Sequence, residues 1–308
     1  MIYKNNLSGV ILGGDYYGSL VSEEDVYKLL DTFYDLGGNN FDTARLYTDG
    51  VSETIYGKWI KTKPRDSVFI ATKGGHPDLL TGEKRLLEKE VEEDLNKSLN
   101  ALSLDFVDLY YLHRDDENLP EEYIIEYLNK FKREGKIKNI GVSNWRAKRI
   151  KKANEYALKH GLTPITFSQI KYSLTVTSPS YEDDVTLVEM NDTEYNLYKD
   201  LNINVTCFAP QAKGFFSKFE KLGEKGLDQK TRQRYLCEEN VKRYQKVKKI
   251  AEKYNISVGA VSILYLLCNE DFNSLPVIGC KTVPQLLDTL SGKDVILTPE
   301  DIYFLRHL

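Results

Sequence analysis

The sequence predicts a (β/α)8 barrel built as a single domain over residues 1–308. Three observations carry this expectation. Eight short runs rich in β-branched and aromatic residues recur along the chain. Segments of helical period lie between them, and no change of composition or Pro/Gly-rich linker divides the sequence. Alternation of β and α over the whole length argues a parallel sheet, and strands that are apolar throughout are those buried on both faces.

Gly9–Leu12 is the first run. Helical spacing follows in Val26, Leu29, Leu30, Phe33 and Leu36, opened by Ser22 with Asp25 three residues on, the spacing of a capping box. Asn40–Thr43 and Val68–Thr72 are the second and third strands. A helix on Leu87, Val91, Leu95, Leu99 and Leu102 leads to the fourth, Phe106–Leu112. Ile124, Ile125, Leu128 and Phe131 form the next apolar stripe, before Ile137–Val142, Ile165–Ile170 and Ile203–Phe208. Extra helical sequence, 241–254 and 257–267, precedes the last strand, Leu275–Ile278.

Composition narrows the functional classes. Hydrophobic residues at 41% and charged residues at 29% suit a folded globule of this length. The 46 acidic and 42 basic residues nearly cancel, so no global field favours nucleic acid or an anionic membrane. Cys207, Cys237, Cys268 and Cys280 are scattered, without ligand spacing to histidine, and read as reduced thiols. No metal is expected. The longest apolar stretch, Val258 to Cys268, falls short of the roughly 20 residues of a spanning helix, and the N-terminus has no signal-peptide pattern. A cytoplasmic protein is expected, with no statement about oligomeric state. GxGxxG, GxxxxGK[ST], HExxH and GxSxG are all absent, which removes the doubly wound dinucleotide fold and the commonest zinc and serine-hydrolase readings.

A barrel builds its chemistry at the C-terminal ends of its strands. Strand two ends in Asp42, strand three in Lys73, strand four in His113, strand five in Ser143-Asn144 and strand six in Gln169. Each alone has an ordinary explanation as a cap, a snorkelling lysine or a rim histidine. All five converge on one mouth. Tyr47, on the loop leaving strand two, leans over the same place. Carbonyl reduction uses this set: a phenol supplies the proton, an ammonium lowers its pKa, a carboxylate holds the ammonium, and an imidazole orients the carbonyl oxygen. Tyr47, Lys73, Asp42 and His113 fit those roles.

The segments NNFDTARLYTDGVSETIYGKWI, VFIATKGG, SLDFVDLYYLH, EGKIKNIGVSNW, FSQIKYSL, TCFAPQAKG and PVIGCKTVPQLL resemble the aldo-keto reductases, in that family's order and over most of the chain. The resemblance implies a (β/α)8 barrel that uses a reduced nicotinamide cofactor, usually NADPH, to reduce an aldehyde, ketone or sugar carbonyl, with Asp42, Tyr47, Lys73 and His113 as the catalytic tetrad. It further implies that Ser143, Asn144 and Gln169 bind the carboxamide and that Phe208 stacks on the nicotinamide, where the family commonly has tyrosine. Gly214, Lys281 and Gln285 would serve the phosphate and adenosine end, with Asp42 beside the nicotinamide. Barrels often bind phosphate after strands seven and eight, where Lys213, Gly214, Lys218 and Lys281 stand.

Some positions depart from the family pattern. Gln211 replaces a leucine, and Gln285 with Asp288-Thr289 stands where Glu-Asn or arginine often holds adenosine. Tyr16, Tyr17 and Trp145, besides Tyr47 and His113, are the candidate substrate contacts. The acidic segment Thr177–Glu194 reads as a mobile, solvated surface excursion. Two other functions use the same residues: a Schiff-base aldolase with Lys73 as nucleophile, and a cofactor-binding regulatory subunit with little catalysis.

Overall fold

The computed structural model describes residues 9–182 and 184–308. Eight parallel strands close into a barrel in sequence order: β1 (Ile11–Gly13), β2 (Asn40–Asp42), β3 (Phe69–Gly74), β4 (Val107–Leu112), β5 (Ile137–Ser143), β6 (Phe167–Lys171), β7 (Asn204–Phe208) and β8 (Ser274–Ile278). Each predicted run overlaps its strand. The pairing runs beyond the apolar residues at β3, β5 and β6, so Lys73, Ser143 and Gln169 lie within the ladder.

Helices α1 (Glu23–Asp35), α2 (Val51–Ile60), α3 (Glu88–Leu102), α4 (Glu121–Arg133), α5 (Ala147–Lys159) and α6 (Asp192–Leu201) follow β1 to β6 in turn. The start of α1 is set by its cap: Ser22 Oγ accepts the Asp25 amide at 3.3 Å and donates to the Asp25 carboxylate at 2.9 Å. Val26, Leu29, Leu30 and Phe33 then face the barrel, fully buried. Removing one such side chain, Leu29→Ala for example, costs about 2–5 kcal/mol.

Between β7 and β8 the chain inserts α7 (Phe215–Leu222), α8 (Gln229–Tyr235), α9 (Glu238–Tyr254) and α10 (Val258–Leu267), and α11 (Val283–Thr289) and α12 (Pro299–Arg306) complete the outer layer. The apolar stretch noted in the sequence is α10, enclosed almost all round, as a helix without a polar face must be. No helix among the described residues is long and apolar enough to cross a membrane.

Ile11, Ala71, Leu109, Tyr111, Phe167 and Leu275 fill the barrel interior. The Tyr111 ring fits because residue 141 is glycine: a Cβ there would stand 2.5 Å from that ring. With its hydroxyl 3.0 Å from Thr206 Oγ1, Tyr111 helps close the interior below the mouth. Only about 10 Å³ of free space remains among these side chains. The chemistry is therefore confined to the C-terminal mouth, where the register sets Gly13 beside Asp42, Lys73 beside Tyr111, Ser143 beside Gln169 and Lys171 beside Phe208.

Candidate active site

Asp42 ends β2 and Lys73 stands one residue before the end of β3; neither retains more than 2% of its surface exposed. Two charges this deep are stable only if paired and hydrogen-bonded. They are: Lys73 Nζ donates to Asp42 Oδ1, to the Thr43 carbonyl at 2.9 Å and to the Tyr47 hydroxyl at 3.3 Å. All three ammonium hydrogens are thereby used. Asp42 Oδ2 accepts from Gln169 Nε2 at 2.9 Å, which joins β6 to the same network.

His113 follows β4 directly, its amide bonded to the Gly74 carbonyl at 2.8 Å, and its ring lies 6.0 Å from that of Tyr47. Its Nδ1 is buried with no hydrogen-bond partner among the described residues. Burial first, and then the positive charges of Lys73 and Arg114, hold its pKa well below the usual histidine value, so the ring is neutral.

The phenol behaves differently from the sequence-based expectation. Lys73 does act to lower the Tyr47 pKa, but burial outweighs it, and Asp42 and Asp15 add to the upward push. The net shift is upward, so Tyr47 is a neutral phenol near pH 7. Lys73 itself is pushed down by burial yet held above its ordinary value by Asp42 and Tyr47. Because the ammonium can only donate, its bond uses a lone pair of the phenol oxygen and leaves the phenol hydrogen available to a substrate.

A cavity of about 740 Å³ opens beside these groups, with Lys73, His76, His113, Arg45, Leu46 and Leu79 among its lining. That volume suits a small organic molecule.

The sequence profile of the Aldo/keto reductase family matches residues 9–307. The chain belongs to the aldo/keto reductase family. It is 30% identical to norsolorinic acid reductase of Emericella nidulans over 92% of this chain and 71% of that protein. It is 31% identical to the NADP(+) aldo-keto reductase of Schizosaccharomyces pombe over 92% of this chain and 82% of the relative. The fold matches a thermostable aldo-keto reductase solved with the inhibitor epalrestat, at a TM-score of 0.73, 22% identity, and coverage of 97% and 94% of the two chains. Membership makes the protein an oxidoreductase of a family that reduces small-molecule carbonyls with nicotinamide cofactors.

Residues of this reductase that suit such a cofactor lie along the β5 to β8 side of the mouth. Ser143 and Gln169 are register partners and are buried; Phe208, opposite Lys171, is half-buried at the rim. Asn144 adopts a left-handed backbone (φ 59°), and its side chain is engaged: Nδ2 donates to Ser143 Oγ at 3.1 Å and Oδ1 accepts the Val188 amide at 3.1 Å. Beyond β7, burial first and then the charges of Arg234 and Lys230 depress the Lys213 pKa, which marks local positive potential suited to an anion. Gly214 (φ 75°) leaves open space where a Cβ would stand. Lys218 is held by Asp228 at 2.8 Å. Gln211, the departure from leucine, donates to the Gly259 carbonyl at 3.1 Å and to Thr289 Oγ1 at 3.3 Å, tying this loop to α10 and α11. Lys281 is exposed; its ammonium lies 4.8 Å over the Tyr16 ring and its amide donates to Gln285 Oε1 at 2.9 Å.

The structure corrects two expectations about the mouth. Tyr17 retains no exposed surface and packs against Tyr56 at 5.5 Å between ring centres, so it belongs to the core and not to the substrate contacts. Trp145 is equally enclosed, its indole N–H donating to the Arg114 carbonyl at 3.3 Å and Arg149 lying over its ring, because aromatic area at this rim is better spent on packing. Tyr16 remains half-buried beside the mouth.

The acidic segment after β6 lies at the surface, as expected. Asp183 lies outside the described residues. Four contacts tie the segment to the barrel: the Val188 amide to Asn144, buried Lys171 to Glu189 at 3.2 Å, Arg114 to Thr186 Oγ1 at 2.9 Å, and the Glu194 carboxylate to the Ala147 amide at 2.8 Å, while Pro179, Ser180, Glu182, Asp184 and Val185 stay exposed. Asp184, Glu189 and Glu194 each meet a basic or amide group, from Arg114, Lys171 and Ala147 respectively, pairings that net composition does not reveal.

Sequence reasoning missed Arg45, His76 and Arg114. The His76 ring lies 4.8 Å from that of His113, and its Nδ1 is 2.8 Å from the Pro77 carbonyl, which fixes the proton on Nδ1. Each stands within three residues of a tetrad member, and that adjacency was the available signal.

Proposed function

We propose that this chain is an NADPH-dependent carbonyl reductase that converts an aldehyde, ketone or sugar carbonyl to an alcohol, with Tyr47 as proton donor. The observation that carries the reading is the donation from Lys73 to the Tyr47 oxygen at 3.3 Å, with Asp42 on the far side of the same ammonium. When bound, the cofactor supplies the hydride. The protein supplies everything else. Ser143, Asn144 and Gln169 would orient the cofactor's carboxamide, Phe208 would cover the ring, and Gly214, Lys281 and Gln285 would hold the phosphate and adenosine end. The carbonyl oxygen is held between the Tyr47 hydroxyl and neutral His113.

As negative charge develops on that oxygen, Tyr47 releases its proton and Lys73 stabilises the phenolate left behind. The pull of Lys73 is therefore strongest where it is needed, on the product side of proton transfer. Asp42 keeps Lys73 charged and fixed.

The aldolase reading loses its basis. A lysine that attacks a ketose must be a free amine with a depressed pKa, whereas Lys73 is raised, fully enclosed and bonded through all three hydrogens. Aldehyde-dependent loss of NADPH absorbance tests catalysis against a purely regulatory role, and borohydride trapping on Lys73 would revive the aldolase.

A further inference from the structure

Tyr47 opens a turn whose next three residues are all left-handed: Thr48 (φ 51°, ψ 38°), Asp49 (φ 51°, ψ 40°) and Gly50 (φ 84°). Two of them carry side chains, and such a backbone persists only where its surroundings over-determine it. The surroundings are dominated by one side chain, Arg45. Its Nη2 donates to the Asp49 carbonyl, and its Nη1 donates to Glu53 Oε2 at 2.9 Å on α2. Glu53 has no exposed surface, and its other oxygen accepts from Thr72 Oγ1 at 2.6 Å, the residue before Lys73. One guanidinium thus spans the Tyr47 turn, helix α2 and the strand that delivers Lys73.

Gly50 belongs to the same unit. A Cβ at that position would stand 1.6 Å from Arg45 Nη2 and 2.1 Å from its Cζ, so the glycine vacates the space that the guanidinium occupies. The turn is further held by Thr48 Oγ1, which donates to the Tyr17 carbonyl at 3.0 Å. That bond gives enclosed Tyr17 an indirect part in the site.

We propose that Arg45 is a positioning residue for the proton donor: clamped between Glu53 and the Asp49 carbonyl, with Gly50 making room, it fixes the turn that sets the Tyr47 hydroxyl against Lys73. The inference rests on Tyr47 being the donor. Arg45 also lines the 740 Å³ cavity, which raises a competing role as a direct contact for an anionic substrate. Both of its terminal nitrogens already donate within the protein, Nη1 to buried Glu53 and Nη2 to the Asp49 carbonyl, and this favours positioning.

The test compares wild type, Arg45→Ala, Arg45→Ala/Glu53→Gln, Arg45→Lys and Tyr47→Phe with NADPH and an uncharged aromatic aldehyde. The double variant removes the stranded carboxylate, so the comparison survives if Arg45→Ala alone fails to fold. Misplacing a reacting group by about 1 Å costs up to about 10²-fold, so kcat should fall about 10- to 100-fold with aldehyde KM and NADPH Kd nearly unchanged. Arg45→Lys should recover little, since an ammonium cannot make the two directed bonds of the fork. Millimolar guanidinium should restore turnover to Arg45→Ala and much less to the double variant, which lacks the Glu53 carboxylate, and sodium chloride at equal ionic strength should restore neither. Unchanged kcat in both alanine variants while Tyr47→Phe is inactive overturns the clamp and leaves the proposed function standing. With a carboxylated aromatic aldehyde assayed alongside the uncharged one, a rise in KM confined to the anionic substrate overturns it too, by making Arg45 a substrate contact. Full turnover by Tyr47→Phe removes the donor assignment, and the clamp with it.

Discussion

The Lys73 ammonium donates to the Tyr47 hydroxyl at 3.3 Å while Asp42 accepts from the same nitrogen, with Lys73 fully buried. In this arrangement the acid is kept neutral by burial and its conjugate base is stabilised by a fixed positive charge. The two effects oppose each other in the resting site and cooperate over the reaction, because only the second grows as the proton leaves.

Lys73→Met separates these effects. It removes the charge that stabilises phenolate, so kcat should fall toward the level of Tyr47→Phe, and the double variant should be little worse than either single one. It also strands the Asp42 carboxylate at 2% exposure, which should cost about 3–5 kcal/mol of stability. Adding Asp42→Asn should return part of the lost stability, read as urea midpoint, with no return of activity.

The raised pKa of Tyr47 sets the alkaline limb. Proton donation needs the neutral phenol, so kcat should hold level up to about pH 10, the ordinary phenol value, and fall only above it. Loss of kcat below pH 9 in buffered steady-state assays would show that the charge of Lys73 prevails over burial.

On the acid side the sign follows from His113, whose folded pKa lies well below the ordinary value. The unfolded chain takes up this proton near pH 6.5 and the folded chain does not, so stability drops as pH falls below about 6.5, by up to about 1.4 kcal/mol per unit. His113→Gln should flatten that part of the pH–stability curve measured by urea unfolding. An identical slope in wild type and variant would contradict the neutral, enclosed ring.

Lys281 is the residue to test for cofactor choice. A charge-assisted bond to a 2′-phosphate contributes about 1.5–3 kcal/mol, so NADPH should bind at least about tenfold more tightly than NADH by fluorescence titration. Lys281→Ala should erase most of that difference and leave NADH binding alone. Equal affinities in wild type would remove the assignment.

How much of this was legible in the sequence depends on range. The strands declared themselves because each is buried on both faces, and α1 because Ser22 and Asp25 meet across one helical turn. The meeting of Asp42, Lys73 and His113 at one mouth was legible because each terminates an apolar run. Tyr17 and Trp145 were misplaced because an aromatic after a strand packs inward or faces the mouth according to neighbours such as Tyr56 and Arg149, which lie far from it or have no apolar signature. The anchoring of Val188 to Asn144, 44 residues apart, has no local trace at all. Nor does burial outweighing Lys73 at Tyr47, since the sequence names a charged partner without showing how the folded chain encloses the phenol.

The central claim is that the Tyr47 phenol delivers the proton, and single-turnover reduction of an aldehyde by Tyr47→Phe loaded with NADPH tests it most directly. The substitution keeps the ring and removes only the hydroxyl, so NADPH affinity and fold should be preserved while the chemical step slows about 10²- to 10⁴-fold. A single-turnover rate equal to wild type, with cofactor bound normally, would contradict the account even though the barrel and the family assignment would stand.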